Sequence, residues 1–105
     1  MLTRWYENMT KINVPPHAEE FFKAILALKS PYECKRFFND ILTKREFEEI
    51  AIRFEIARLL SGPNPPSYKE ISLELETSTT TVTRVAQWLH SGAGGYQLIF
   101  KRLNK

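Results

Sequence analysis

Residues 67–84 read SYKEISLELETSTTTVTR, and the fold is decided here. Ser67 followed three positions later by Glu70 has capping-box spacing, so a helix opens at Ser67. Along it Tyr68, Ile71 and Leu75 fall on one face. A tight turn follows. Ser78 and five threonines (Thr77, Thr79, Thr80, Thr81 and Thr83) then crowd the seven positions 77–83. Beyond them Val82, Val85, Ala86 and Leu89 recur at i, i+3, i+4 and i+7, the spacing of a helix face turned inward. Thr80, Thr83, Arg84 and Gln87 carry the same spacing on the opposite side. Two short helices joined by a three- or four-residue turn make a helix-turn-helix unit, here residues 67–90.

The threonines need a reason beyond local structure. Threonine is a mediocre helix former, because its branched Cβ stiffens χ1 and its hydroxyl competes for backbone bonds. Short polar side chains at a helix start let backbone and side chains approach a phosphate chain closely, and the free N–H groups there favour an anion. Hydroxyls suit phosphate oxygens and base edges. A threonine methyl can touch the thymine methyl, and glutamine can hold adenine with two hydrogen bonds. The expected partner is therefore double-stranded DNA, with Ser78, Thr79, Thr80, Thr81, Thr83, Arg84 and Gln87 on the contacting face. The bland alternative is a capped surface helix whose threonines touch only water.

Working outward, the periodicity is helical nearly throughout the 105 residues, with no alternating strand pattern, no internal repeat and no low-complexity run. Pro15 and Pro16 suit a helix start, followed by Phe21, Phe22, Ile25, Leu26 and Leu28 at helical spacing. Ser30-Pro31 breaks the chain and begins a helix with Phe37, Phe38, Ile41 and Leu42 on one side. Thr43 and Glu46 form another capping box. The helix they open has one apolar stripe of Phe47, Ile50, Ala51, Phe54 and Ala57 and a second of Ile52, Ile56, Leu59 and Leu60. A helix apolar on two sides is central, covered by neighbours that include a second copy in so short a chain. Arg45, Glu49 and Arg53 are spaced to pair along its remaining surface. Gly62 ends it, and GPNPP is a stiff connector. After the helix-turn-helix, SGAGG at 91–95 is a hinge and YQLIFKRL a last amphipathic helix. The expectation is one all-α domain over residues 1–105 with about six helices.

The net charge is +3, and its placement says more than its size. Residues 77–105 hold four of the 15 basic side chains (Arg84, Lys101, Arg102 and Lys105) and none of the 12 acidic ones. A polyanion would meet the protein at this end. A chance imbalance of four charges would look the same.

The stretch Ser67–Arg84 resembles a bacterial helix-turn-helix, with TVTR in the usual threonine-valine-serine-arginine slot. The likeness extends back through LTKREFEEIAIRFEIARLLSGPNPPSYKEISLELETSTTTVTRVAQWL, residues 42–89, which resembles the Trp repressor family. The shared pattern is leucine-threonine, a long helix with an arginine, a leucine-leucine-x-glycine ending, and then the helix-turn-helix. It covers about half the chain without a gap. The resemblance implies an intertwined homodimer of six-helix subunits whose helix-turn-helix units enter successive major grooves of a palindromic operator. By position it places DNA contacts on Tyr68, Lys69, Ser72, Thr79, Thr80, Thr81 and Thr83.

The chain departs from that family in two places. Glu76 stands where a turn glycine is common, at a cost on the order of 1 kcal/mol if the left-handed conformation is kept. The family's corepressor, tryptophan, is held by two arginines near a threonine and a glycine. Arg53, Arg84 and Thr43 match three of those positions, but the glycine is Val85 and a small residue one turn on is Trp88. Both add bulk where the indole would lie. The expectation is that Trp88 fills part of the pocket, so that L-tryptophan is not the ligand and the protein is ligand-independent or tuned to another small-molecule effector. The alternative is that Arg53 and Arg84 only pair with nearby glutamates.

Other chemistry finds little footing. His17 and His90 are far apart, and no Cys/His cluster has metal-ligand spacing. Cys34 is the single cysteine, so no intramolecular disulfide forms, which fits a reducing cytoplasm; its place in a helical run suggests a small buried residue. Glu19-Glu20 and Glu48-Glu49 read as solvated helix faces and not as an acid/base pair. The N-terminal MLTRWYENMTKIN has no apolar signal region, and no run approaches a membrane span. Trp5 and Tyr6 pack on a partner subunit or stay mobile. The leading expectation is a non-enzymatic, cytoplasmic DNA-binding regulator, a repressor, without cofactor or metal. The competing readings are the DNA-binding part of a recombination or transposition system, and a helical protein-interaction module.

Overall fold

The structure is a computed structural model and describes residues 12–104. Trp5, Tyr6 and Lys105 lie outside the described residues. Among the described residues six helices are formed: α1 (Ala18–Leu26), α2 (Pro31–Ile41), α3 (Lys44–Leu60), α4 (Tyr68–Glu74), α5 (Thr79–Ser91) and α6 (Gly95–Leu103). Among the described residues there is no strand. The chain divides into two compact units, residues 1–41 and 42–105.

In the first unit, Pro31 is the first residue of α2, and the Glu33 N–H donates to the Ser30 hydroxyl at 3.1 Å. Proline suits this place because the first helical N–H has no partner in any case. Pro15 and Pro16 do not start α1. The chain first turns through a left-handed His17 (φ 69°), and the helix begins at Ala18, whose N–H donates to the Pro15 carbonyl. Phe21 and Phe37 approach with ring centroids 6.1 Å apart, joining α1 to α2. Ala18 is the one buried apolar side chain among this unit's described residues, and Cys34, expected to be buried, is half-buried.

The second unit holds the core. Ile56, Ala57, Ile71, Val82, Val85, Leu89 and Phe100 cluster there, and Ile52, Leu59, Leu60, Leu75 and Tyr96 pack around them. Ile56, Ile71, Val82 and Val85 are completely buried, each stabilising the fold by about 1.5–3 kcal/mol relative to exposure. Helix α5 is the hub and touches α3, α4 and α6. Of the two apolar stripes on α3, the one carrying Ile52, Ile56, Leu59 and Leu60 faces this core. The other leaves Ile50 and Phe54 exposed.

Local chemistry sets the helix ends. Thr43 caps α3 and Ser67 caps α4, each in a complete capping box with Glu46 or Glu70. Helix α4 ends in a Schellman-type turn: the Thr77 N–H donates to the Ser72 carbonyl at 3.0 Å, and Glu76 takes the left-handed position at φ 53°. After α5 the chain turns at two glycines. A Cβ on Gly92 would meet the Trp88 carbonyl oxygen at 2.4 Å, and Gly94 has φ 83°. Residue 95, expected in the hinge, already belongs to α6. The Gln97 side-chain amide donates to the Leu89 carbonyl and ties α6 to the end of α5.

Candidate nucleic-acid interface

Helices α4 and α5 with the turn between them form the helix-turn-helix. The buried side of α5 consists of Val82, Val85, Ala86 and Leu89. Thr79, Thr80, Thr83, Arg84 and Gln87 are exposed, Ser78 precedes them as the exposed N-cap, and Thr81 is half-buried. The inward stripe anchors the helix, so the other residues are held outward on a rigid rod.

The hydroxyls of this face are not equivalent. Ser78 Oγ accepts the Thr81 N–H at 3.0 Å and lies 3.0 Å from Thr81 Oγ1. Thr83 Oγ1 donates to the Thr79 carbonyl at 2.9 Å.

Of this unit's four helix starts, those of α3 and α4 carry an acid in the first turn and those of α5 and α6 do not. In α3 and α4 the third helical residue is a glutamate whose carboxylate accepts from the cap residue's own backbone N–H, Glu46 from Thr43 and Glu70 from Ser67, each at 2.9 Å. The Ser67 N–H, and then its hydroxyl, hold the Glu70 carboxyl below the usual glutamate range. In α5 the equivalent position is Thr81, and the first turn contains no acid. The positive end of the α5 dipole is therefore not neutralised by its own sequence, as it is in α3 and α4.

On α4, Tyr68 and Lys69 are exposed. Ser72 is not. It is 8% exposed, and its hydroxyl donates to the Lys69 carbonyl at 2.8 Å. Ser72, where a DNA contact is expected, is thus buried beside Ile71 on a seven-residue helix.

Between α3 and α5 lies a cavity of about 290 Å³ lined by Glu49, Ile52, Arg53, Thr77, Thr81 and Arg84. Arg53 does not pair with Glu49, whose carboxylate meets Arg45 at 3.3 Å. The Arg53 guanidinium sits over the Trp88 ring, 5.5 Å from its centroid. Neither Arg53 nor Arg84 is in an ion pair among the described residues.

A family model for the Trp repressor protein matches residues 17–104. The chain belongs to the Trp repressor family. Two solved structures share its fold. A candidate Trp repressor from Staphylococcus aureus superposes with a TM-score of 0.78 at 32% identity, over 87% of this chain and 89% of that one. A TrpR-like protein from Eubacterium eligens ATCC 27750 gives 0.76 at 37% identity, over 82% and 87%. The uncharacterised protein YerC of Bacillus subtilis (strain 168) is 37% identical over 87 residues, 83% of this chain and 82% of that protein. The Trp repressor family is one of DNA-binding regulators.

In this Trp repressor relative the residues expected at an effector pocket are spread over two cavities, the core and a helix cap. Arg53 and Arg84 do come together at one cavity. Trp88 is not in its lining: the residue is 45% exposed, lies under Arg53, and lines a second, apolar cavity with Phe54, Tyr96 and Ile99. Val85 is fully buried in the core, and the Thr43 hydroxyl is engaged as the α3 cap. Neither lines the arginine cavity. Glu49, Ile52 and Thr77 do, and the sequence reading assigned them no such role. Glu49, Ile52 and Arg53 follow i, i+3, i+4 on α3, which was the available signal. Among the described residues no cluster of His, Cys, Asp and Glu has the makings of a metal site, and no helix is long and apolar enough to cross a membrane.

Proposed function

We propose that this chain is a sequence-specific transcriptional repressor that binds a palindromic DNA operator as a homodimer, through α5 and the start of α4. The observation that carries the reading is the division of α5. One side is wholly buried, and the other is exposed, free of acid, and made of hydroxyls, one amide and one arginine. A helix docked by its inner stripe and open along such an outer stripe suits a major groove. Family membership supports the same function, and the first-turn contrast with α3 and α4 supports an anionic partner.

The homodimer is supported by apolar surface left uncovered. Ile50, Phe54, Leu98, Ile99 and Leu103 are all exposed in the second unit, as are Phe22, Leu26 and Tyr32 in the first. Monomers rarely leave large apolar patches in water.

Binding to a palindrome selected from random duplexes, followed by fluorescence anisotropy against salt, tests this reading. Affinity should fall steeply with salt, by a log–log slope of roughly 0.9 per neutralised phosphate. Arg84→Ala should weaken binding and reduce that slope by about one if Arg84 neutralises a phosphate. Salt-insensitive binding, or equal affinity for unrelated duplexes, would refute the proposal and favour an interaction module.

DNA binding on this reading does not require free tryptophan. Arg53 is engaged by the chain's own Trp88, a cation–π contact worth roughly 0.5–1 kcal/mol at an exposed site. The remaining cavity is at the small end of ligand sites and has the Glu49 carboxylate in its wall. Titration calorimetry of the protein with L-tryptophan should give no micromolar binding. Micromolar binding that vanishes in Arg53→Ala would overturn this.

A further inference from the structure

Helix α5 carries four threonines, and the structure separates them by what their hydroxyls do. Thr83 donates its one hydroxyl proton to the Thr79 carbonyl. Thr81 is half-buried, and its hydroxyl meets Ser78. Thr79 and Thr80 are exposed in the first turn. A threonine whose hydroxyl is turned back to its own helix still has a methyl group on the same Cβ. At Thr83, exposed in the middle of the outer face, that methyl is the group left to show a partner. Gln87 is exposed one turn further along the same stripe.

Resting on the DNA-binding reading, we propose that Thr83 is a specificity determinant that recognises the C5 methyl of thymine, its hydroxyl taking no part in base contact. The major groove offers that methyl only at thymine; cytosine presents an amino donor and no methyl. Gln87 has the paired donor and acceptor that adenine requires, so the stretch of groove under residues 83–87 is an A·T-containing segment. The two side chains then read complementary marks, one apolar and one hydrogen-bonding. Thr79 and Thr80, at the helix start, are left for phosphate or neighbouring base edges.

The test replaces each thymine of the selected operator, one at a time, with deoxyuridine. This removes only the methyl and leaves the pairing and the groove hydrogen bonds intact. One position per half-site should lose about fourfold in affinity, the worth of one buried methyl group. Two conservative variants locate the effect. Thr83→Val, which swaps the hydroxyl for a second methyl, should bind within about twofold of the parent and keep the thymine preference. Thr83→Ser, which keeps the hydroxyl and removes the methyl, should lose that preference and bind thymine and uracil duplexes alike. Operator binding that persists while no thymine methyl matters would overturn the proposal alone. So would a Thr83→Val variant that loses affinity where Thr83→Ser retains it, because the hydroxyl would then be the contact. Failure to prefer any duplex would overturn the DNA reading and this inference with it.

Discussion

Replacing Thr80 with glutamate is expected to destroy operator binding while leaving the protein at least as stable. Residue 80 is the second residue of α5, exposed, in a first turn with no acid. A carboxylate there complements the helix dipole and should stabilise the fold by about 0.3–1 kcal/mol. The same carboxylate would face the phosphates of a duplex docked on this surface. Like charges brought together in an interface cost several kcal/mol, so affinity should fall by roughly a hundredfold to a thousandfold. The opposite signs make the experiment decisive, because a damaged fold cannot imitate them. Thermal melting followed by circular dichroism should show an unchanged or raised Tm, and anisotropy should show the loss of binding. A Thr80→Glu variant that still binds its operator at parental affinity would mean that α5 does not enter the groove.

The second large effect is expected at Ile50. Its side chain is 48% exposed on α3, one turn before the exposed Phe54. Phe54 in turn packs on Phe100 at 5.3 Å and lines, with Trp88, Tyr96 and Ile99, an apolar cavity of about 420 Å³. If a second copy covers this surface, a two-fold interface would meet every substitution twice. Ile50→Glu would then bury two unpaired carboxylates. The core residues Ile56, Ile71, Val82 and Val85 are untouched by the change. Sedimentation should therefore show folded monomers. Losing the linkage between two reading heads should lower affinity for the full palindrome by on the order of 10²–10⁴, with half-site binding little altered. A variant that remains dimeric and binds as before would rule out this surface as the interface.

What the sequence disclosed, and what it hid, follows from the range of the interactions. The capping boxes at Thr43 and Ser67 are closed by residues three positions on, and both helices begin where the spacing requires. The inner stripe of α5 was legible for the same reason: a 13-residue helix repeats its period often enough to expose it. Helix α4 has only seven residues, too few to fix a face, and the burial of Ser72 is not legible in its spacing. The start of α1 was obscured by a left-handed residue at His17, a conformation its side chain does not announce. Arg53 has the spacing to pair with Glu49, which meets Arg45 instead. The neighbour of Arg53 is Trp88, 35 positions along the chain, and only tertiary packing brings the two together. The exposed stripe of α5, built from one helix, is legible without such packing.

The supporting wall and the outward wall of α5 have no side chain in common. Codons 82, 85, 86 and 89 maintain the scaffold, while codons 79, 80, 83, 84 and 87 do not. Natural selection can therefore rewrite the second set without endangering the first, and a gene duplicate can acquire a new target while remaining foldable. A combinatorial library randomised at those five codons should return mostly folded clones, which makes this small protein a practical chassis for engineering.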